Sequence, residues 1–181
     1  MGRKYNEYSQ LNLPQLSEEV RSTWEQNDIF AKSLENRKNN KPFVFYEGPP
    51  SANGVPGIHH VMARTIKDLF CRYQTLKGRF VERKAGWDTH GLPVEISVEK
   101  TLGITKEDIG KKISVEEYNN ACRTEVLKYK DLWDDLTKKI GYWVDLEHPY
   151  ITFDNKYIES VWYLLKMLHE AEKLSGQNMG L

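Results

Sequence analysis

The chain has 181 residues, enough for one domain with a sizeable core or for one domain plus part of another. Its 26 Lys and Arg balance 26 Asp and Glu, which excludes a global field drawing it to nucleic acid or membrane, so any RNA contact must be local. No apolar run approaches the ~20 residues that span a bilayer, and the N-terminus MGRKYNEYSQ carries no apolar signal core, so a reducing, cytoplasmic location is expected, with no membrane partner.

In chain order, Ser17-Glu18-Glu19 opens a helical pattern in which Val20, Trp24 and Phe30 share one face. The polar stretch NRKNNK, residues 36–41, then leads into Pro42-Phe43-Val44-Phe45-Tyr46, an apolar run of buried-strand length. The segment EGPPSANGVPG, residues 47–57, holds three prolines and three glycines and must be a shaped loop. From Ile58 the period becomes helical. Ile58, Met62, Ile66, Leu69, Phe70, Tyr73 and Leu76 make an apolar face, expected to point at the core, while Arg64, Lys67, Asp68 and Arg72 make the opposite one. Gly78 stops this helix, and Phe80-Val81 reads as a second short strand.

A further irregular loop, residues 84–93 (KAGWDTHGLP), follows that strand. Strand, loop, helix, strand, loop is a βαβ unit, which implies a parallel sheet with both loops at the carboxyl rim where ligands bind. Further on, Thr105 begins a short helix, and Ser114-Val115-Glu116-Glu117 is a capping box. It introduces one long helix with Tyr118, Cys122, Val126, Tyr129, Leu132, Trp133, Leu136 and Ile140 in register, ended by Gly141. Asp154 caps a last helix whose expected core face is Ile158, Val161, Trp162, Leu165 and Leu168, and the tail SGQNMGL should fray. Cys71 and Cys122 lie within these apolar periods without a second ligand at metal spacing. Both read as core residues, and no protein-bound metal is expected.

The loop from Gly48 to His60, GPPSANGVPGIHH, stands at a strand-to-helix junction, where unpaired backbone N–H groups and a positive helix end favour phosphate. It has the spacing of neither the P-loop nor the dinucleotide fingerprint. Its chemistry alone leaves two readings open, a phosphate site or a tight connection whose histidines cap the helix.

This segment resembles the ATP-binding "HIGH" signature of the class I aminoacyl-tRNA synthetases, and GWDTHGLPVE, residues 86–95, resembles the second signature block of the isoleucine members. The likeness runs over about residues 5–168 and is densest from Phe43 to Lys106. It implies an α/β fold, the first half of a Rossmann-like catalytic domain, with a helical leader over 1–40, the catalytic half over 41–145, and the helical start of a connective insertion and tail over 146–181. It further implies that Gly48, Pro49, Asp88, Trp87 and His90 serve the amino acid, Asp88 receiving its ammonium group. Pro50, Asn53, Gly54, Gly57, His59 and His60 would lie along ATP, with His60 and His59 as the catalytic pair.

The implied activity is that of an isoleucine–tRNA ligase, with ATP and Mg²⁺ as substrate, isoleucine and tRNA(Ile) as partners, and a monomeric state. The tRNA would be contacted mainly through regions outside this chain. The family's KMSKS loop and editing domain have no counterpart in these residues, so the segment reads as the N-terminal part of such an enzyme. Two rivals are a small adenylyltransferase, which would not need GWDTHGLPVE, and a non-catalytic fragment or paralogue that binds nucleotide or a partner protein.

In one respect the sequence departs from the family. The usual order is His-x-Gly-His, whereas Gly57-Ile58-His59-His60 exchanges its first and third members. At ~100° per residue, positions 57 and 60 share a helix face and position 59 points away from 57, so His59 is not expected to replace an imidazole missing there. The basic run Lys77, Arg79, Arg83 and Lys84 reads as solvated surface, with contact to tRNA phosphate the alternative.

Overall fold

The computed structural model describes residues 10–175. Helix α1, Leu13–Gln26, starts four residues ahead of the expected Ser17 because Asn12 caps it, its side chain accepting the Gln15 N–H at 3.3 Å, with Pro14 in the first turn. Asp28, at φ 52, then turns the chain into α2, Ile29–Glu35. Trp24 of α1 and Phe30 of α2 both pack on Trp143, with ring centroids 5.3 and 6.1 Å away.

Helix α3, Ile58–Leu76, is long and amphipathic as its period predicts, but it faces the other way. Ile58, Met62, Ile66, Leu69, Phe70, Tyr73 and Leu76 are all more than half exposed, while Arg64, Cys71 and Thr75 are buried. The inward face is a charged one. Asp68 accepts from Arg83 Nη1 at 3.1 Å, from Arg72 Nε, and from the Trp143 N–H at 3.3 Å. Arg83 is the most enclosed of these charges, 1 % exposed, and donates also to Thr75 Oγ1 at 3.0 Å and to the Trp143 carbonyl at 3.2 Å. Arg72 lies over the Trp143 ring at 3.9 Å and bonds the Gly141 carbonyl. The face buries around Asp68 because Arg72 and Arg83 find fixed partners there, not because it is apolar. Burial overturns the surface reading of Arg83, while Lys77 and Lys84 are exposed as expected.

The strands lie later than their apolar runs suggest. Strand β1 is Lys84–Trp87, within the segment expected to be loop, and β2 is Asp145–Ile151, which no sequence period announces. They pair in parallel, Lys84 with Asp145, Gly86 with Tyr150 and Trp87 with Ile151, with a register shift between the first two pairs. Around α3 the expected strands shrink to one parallel bridge, Pro42 with Phe80; beyond Phe43 the extended segment has no ladder partner among the described residues, leaving Val44 and Tyr46 exposed. The α/β class and the parallel pairing stand. The boundary expected at 145/146 meets the start of β2, whose pairing carries the sheet through Ile151.

Helix α4, Leu92–Leu102, begins with Pro93 in its first turn and closes at Gly103, φ 65. A 3₁₀ turn over Lys106–Asp108 follows. The capping box holds: Ser114 Oγ accepts the Glu117 N–H at 3.1 Å and the Glu117 carboxylate accepts the Ser114 N–H at 3.0 Å, opening α5, Val115–Val126. The expected single helix is broken, and α6 spans Lys130–Lys139. The break falls where the Tyr129 N–H leaves the helical ladder to donate to the Ala52 carbonyl at 3.1 Å. Gly141, φ 71, ends this pair of helices as read from sequence.

Helix α7, Asn155–Ser175, starts after Asp154, whose carbonyl accepts the Ile158 N–H at 3.0 Å, but Trp162, Leu165 and Leu168 on its expected core face are exposed. Residues 176–181 of the expected frayed tail lie outside the described residues. Cys71 is fully buried and Cys122 partly so. Because Asp68 is the carboxylate that compensates Arg83, Asp68→Ala is expected to lower stability by about 3–5 kcal/mol in urea unfolding. A loss below about 1 kcal/mol would show that the inward charges are dispensable.

Candidate functional site

The signature loop is held by three hydrogen bonds from distant parts of the chain. The Pro50 carbonyl accepts the Asp88 N–H at 3.0 Å, the Ala52 carbonyl accepts the Tyr129 N–H, and the Gly54 carbonyl accepts Trp133 Nε1–H at 2.8 Å. Ala52 is fully buried against Trp87 and Trp133. At the loop entrance Glu47 is enclosed: its carboxylate pairs with Lys67 and accepts the Tyr142 hydroxyl at 2.7 Å, while its carbonyl accepts the Tyr150 hydroxyl at 2.9 Å. Burial and the facing Glu47 push the Tyr142 phenol far up. Gly86 admits this arrangement, since a Cβ there would lie 2.2 Å from the Tyr150 ring.

Between the loop and α3 opens a cavity of about 390 Å³. Of the residues singled out in the sequence, Gly48, Pro50, Asn53, Gly54 and His60 line it. Pro49 lines a neighbouring hollow with Phe45, Glu82, Tyr150 and Tyr157. Trp87 is 2 % exposed, its ring edge-on to Trp133 at 6.3 Å, so it is a wall behind the cavity and not a surface within it. Asp88 is half-buried and accepts the His90 N–H at 3.2 Å, which makes a tight turn. The His90 ring, exposed on one side, bonds Thr152 Oγ1 at 3.1 Å, and the Thr89 N–H donates to the same oxygen at 2.9 Å. The two signature loops thus share backbone contact at Pro50 and Asp88, with Trp133 behind both.

Gly57 is the N-cap of α3, extended at φ −98 and ψ 176. Its N–H donates to His60 Nδ1 at 2.9 Å, so in the neutral ring the proton sits on Nε2. Burial, then the neighbouring His59, then Arg64 hold the His60 pKa below the ordinary histidine value. The expected direction of His59, away from position 57, does not hold, because Gly57 stands outside the helix and the wheel does not extend to it. The exposed His59 ring folds back instead, its centroid 3.8 Å from that of His60, so that a Cβ at position 57 would meet its Cε1 at 2.9 Å.

Six residues of the cavity wall were not singled out from the sequence as site residues: Ser51, Val55, Ala63, Arg64, Lys67 and Trp133. Trp133 was hidden among core-periodic residues. Arg64 and Lys67 were legible in principle, since positions 60, 64 and 67 form one stripe of a helix.

Residues 19–178 match the family model described as tRNA synthetases class I (I, L, M and V), and the chain belongs to that family. Its relatives include isoleucine–tRNA ligases. That of Bacteroides thetaiotaomicron is 66% identical over 170 residues, and that of Porphyromonas gingivalis is 64% identical, each alignment covering 94% of this chain. The chain spans about 15% of the length of these relatives. Among solved structures, LeuRS of Agrobacterium radiobacter K84, in a ternary complex with tRNA and LeuAMS, superimposes with a TM-score of 0.58 at 19% identity, over 86% of this chain and 17% of that one; it speaks for the fold.

A proton titration of the His60 ring by NMR is expected to give a pKa below the ordinary histidine value, leaving the ring neutral at pH 7, and His59→Ala should raise it. Because the folded value is depressed, the site is most favoured above the unfolded histidine pKa and loses that contribution as pH falls through the folded one. An ordinary pKa, insensitive to His59, would contradict the geometry.

Proposed function

We propose that this chain supplies the ATP- and isoleucine-binding part of an isoleucine–tRNA ligase. The observation that carries the reading is the junction of the two signature loops, Pro50 carbonyl to Asp88 N–H at 3.0 Å, beside a cavity walled by His60, Arg64 and Lys67. An anion in that cavity meets positive charge, while the Asp88 carboxylate stands ready for a cation next to it.

In the proposed reaction a carboxylate oxygen of isoleucine attacks the α-phosphorus of ATP. The new O–P bond forms as the bond to the β-phosphate oxygen breaks, giving isoleucyl-adenylate and pyrophosphate, and the acyl group then passes to tRNA(Ile). No protein nucleophile takes part, so the chain's contribution is positioning and charge stabilisation. Asp88 receives the substrate ammonium group, and Gly48 and Pro49 border the amino acid. Pro50, Asn53, Gly54, Gly57 and His60 run along the nucleotide, with the free first-turn amides of Ile58 and His59 at its phosphates. Trp87, being buried, and His90, tied to Thr152, hold the amino-acid loop in shape.

Magnesium enters as part of the nucleotide substrate. Among the described residues no cluster of three or more His, Cys, Asp or Glu is able to hold a metal, and the cavity wall carries no carboxylate. A cytoplasmic, monomeric enzyme fits this reading, and no described helix is long and apolar enough to cross a membrane. KMSKS is missing from these 181 residues, so turnover is assigned to the longer ligase and binding to this chain.

In a full-length ligase carrying this segment, Asp88→Ala is expected to weaken isoleucine use by about 1.5–3 kcal/mol, the worth of a charge-assisted contact, with little effect on ATP. Pyrophosphate exchange measures both, and equal losses would mean collapse of the loop instead. His60→Ala is expected to slow adenylate formation by ~10²–10³, the typical cost of one preorganised donor, and His59→Ala by less. A larger effect of His59→Ala would transfer the phosphate-stabilising role to the refolded His59 ring.

A further inference from the structure

Arg64 is 7 % exposed and lines the cavity, yet its guanidinium makes no hydrogen bond or ion pair with any described residue. The acidic and phenolic groups whose fields reach it are Glu47, Tyr142 and Asp134, and each has another partner. The Glu47 carboxylate is held by Lys67 and by the Tyr142 hydroxyl, and Asp134 by Lys130 at 2.5 Å. What fixes Arg64 is aromatic: its Cζ lies 5.1 Å from the Trp133 ring centre and 5.9 Å from that of Tyr142. Contacts of this kind hold a guanidinium by its face and leave its in-plane N–H donors free.

A buried guanidinium without acceptors is costly, and burial here already lowers its proton affinity despite the three neighbours that raise it. Such a group is matched by an oxyanion able to take two parallel N–H bonds. The position narrows the choice. Arg64 stands one turn beyond His60 on α3, and the Trp133 ring backs both, 4.6 Å from the His60 ring. Gly48 and Pro50 of the loop line the same cavity.

We propose that Arg64 is a phosphate-binding residue, taking the phosphoryl group at the junction of nucleotide and amino acid. This rests on the reading of the cavity as the ATP site. His60 and the first-turn amides then face the outer phosphates, while Arg64 meets the phosphoryl group that is carried into the adenylate. Lys67 plays a different part, since Glu47 consumes its charge.

The test uses this chain with inorganic tripolyphosphate, ATP and adenosine, followed by ¹H–¹⁵N NMR and calorimetry. In the wild type, tripolyphosphate and ATP should shift the Arg64 Nε–Hε resonance, and adenosine should not. Arg64→Met is expected to weaken both anions by roughly ten- to a hundredfold, with Arg64→Lys intermediate because it keeps the charge and loses the fork, and adenosine unaffected. The amide spectra report folding, and if Arg64→Met unfolds, Arg64→Lys and the wild-type resonance decide alone. An Arg64 resonance unmoved at saturating tripolyphosphate, or anion affinity unchanged in the variants, overturns the proposal even where adenosine binds. Anion binding that needs Arg64 in a chain that ignores adenosine upholds the phosphate site and removes the nucleotide reading on which it was placed.

Discussion

The fold depends on one carboxylate. Helix α3 turns its charged side inward, and Asp68 is where that choice becomes stable, because its two oxygens gather Arg83, Arg72 and the Trp143 N–H at one point. Arg83 leads directly into β1, and Trp143 stands two positions before β2, so the same cluster fixes the helix against the sheet and sets where the sheet begins. The leader helices join through Trp24 and Phe30, which pack on the ring that Arg72 covers. Replacing such a cluster by apolar side chains of the same volume would often be tolerated thermodynamically. Here its orientation determines which stripe of α3 faces the cavity.

That stripe lines the cavity. His60, Arg64 and Lys67 follow one another along the helix and meet a loop clamped by backbone bonds from Asp88, Tyr129 and the Trp133 indole. A loop rich in glycine and proline has little regular structure of its own, and its shape comes from groups elsewhere in the chain. Trp133 joins the two sides of the cavity physically, with Trp87 and the second signature segment on one side and His60 with Arg64 on the other.

The parts legible from the sequence were those governed by local chemistry. The Ser114 capping box, the Gly141 stop and the amphipathic period of α3 all depend on neighbours within a few residues. The misplaced parts depend on distant partners. A period reveals a stripe but not which side will be buried, and α3 is decided by Arg83 and Trp143. The break after Val126 is made by an acceptor at Ala52, and β2 exists through pairing with β1 despite Pro149 within it. The direction of His59 is not legible from a helical wheel, because Gly57 lies in extended backbone.

The bond from Tyr129 to Ala52 also sets an order of events during folding. The signature loop is made early by the ribosome, yet the groups that shape it, Tyr129 and Trp133, emerge much later, after α4 and α5. Closing contacts of such long sequence separation is slow, because chain entropy is lost before they form. Nascent chains should therefore carry α3 and its capped neighbours as helices while the loop remains unshaped. The cavity between this loop and α3 is complete only once α6 has docked, as one of the last acts of folding in this unit.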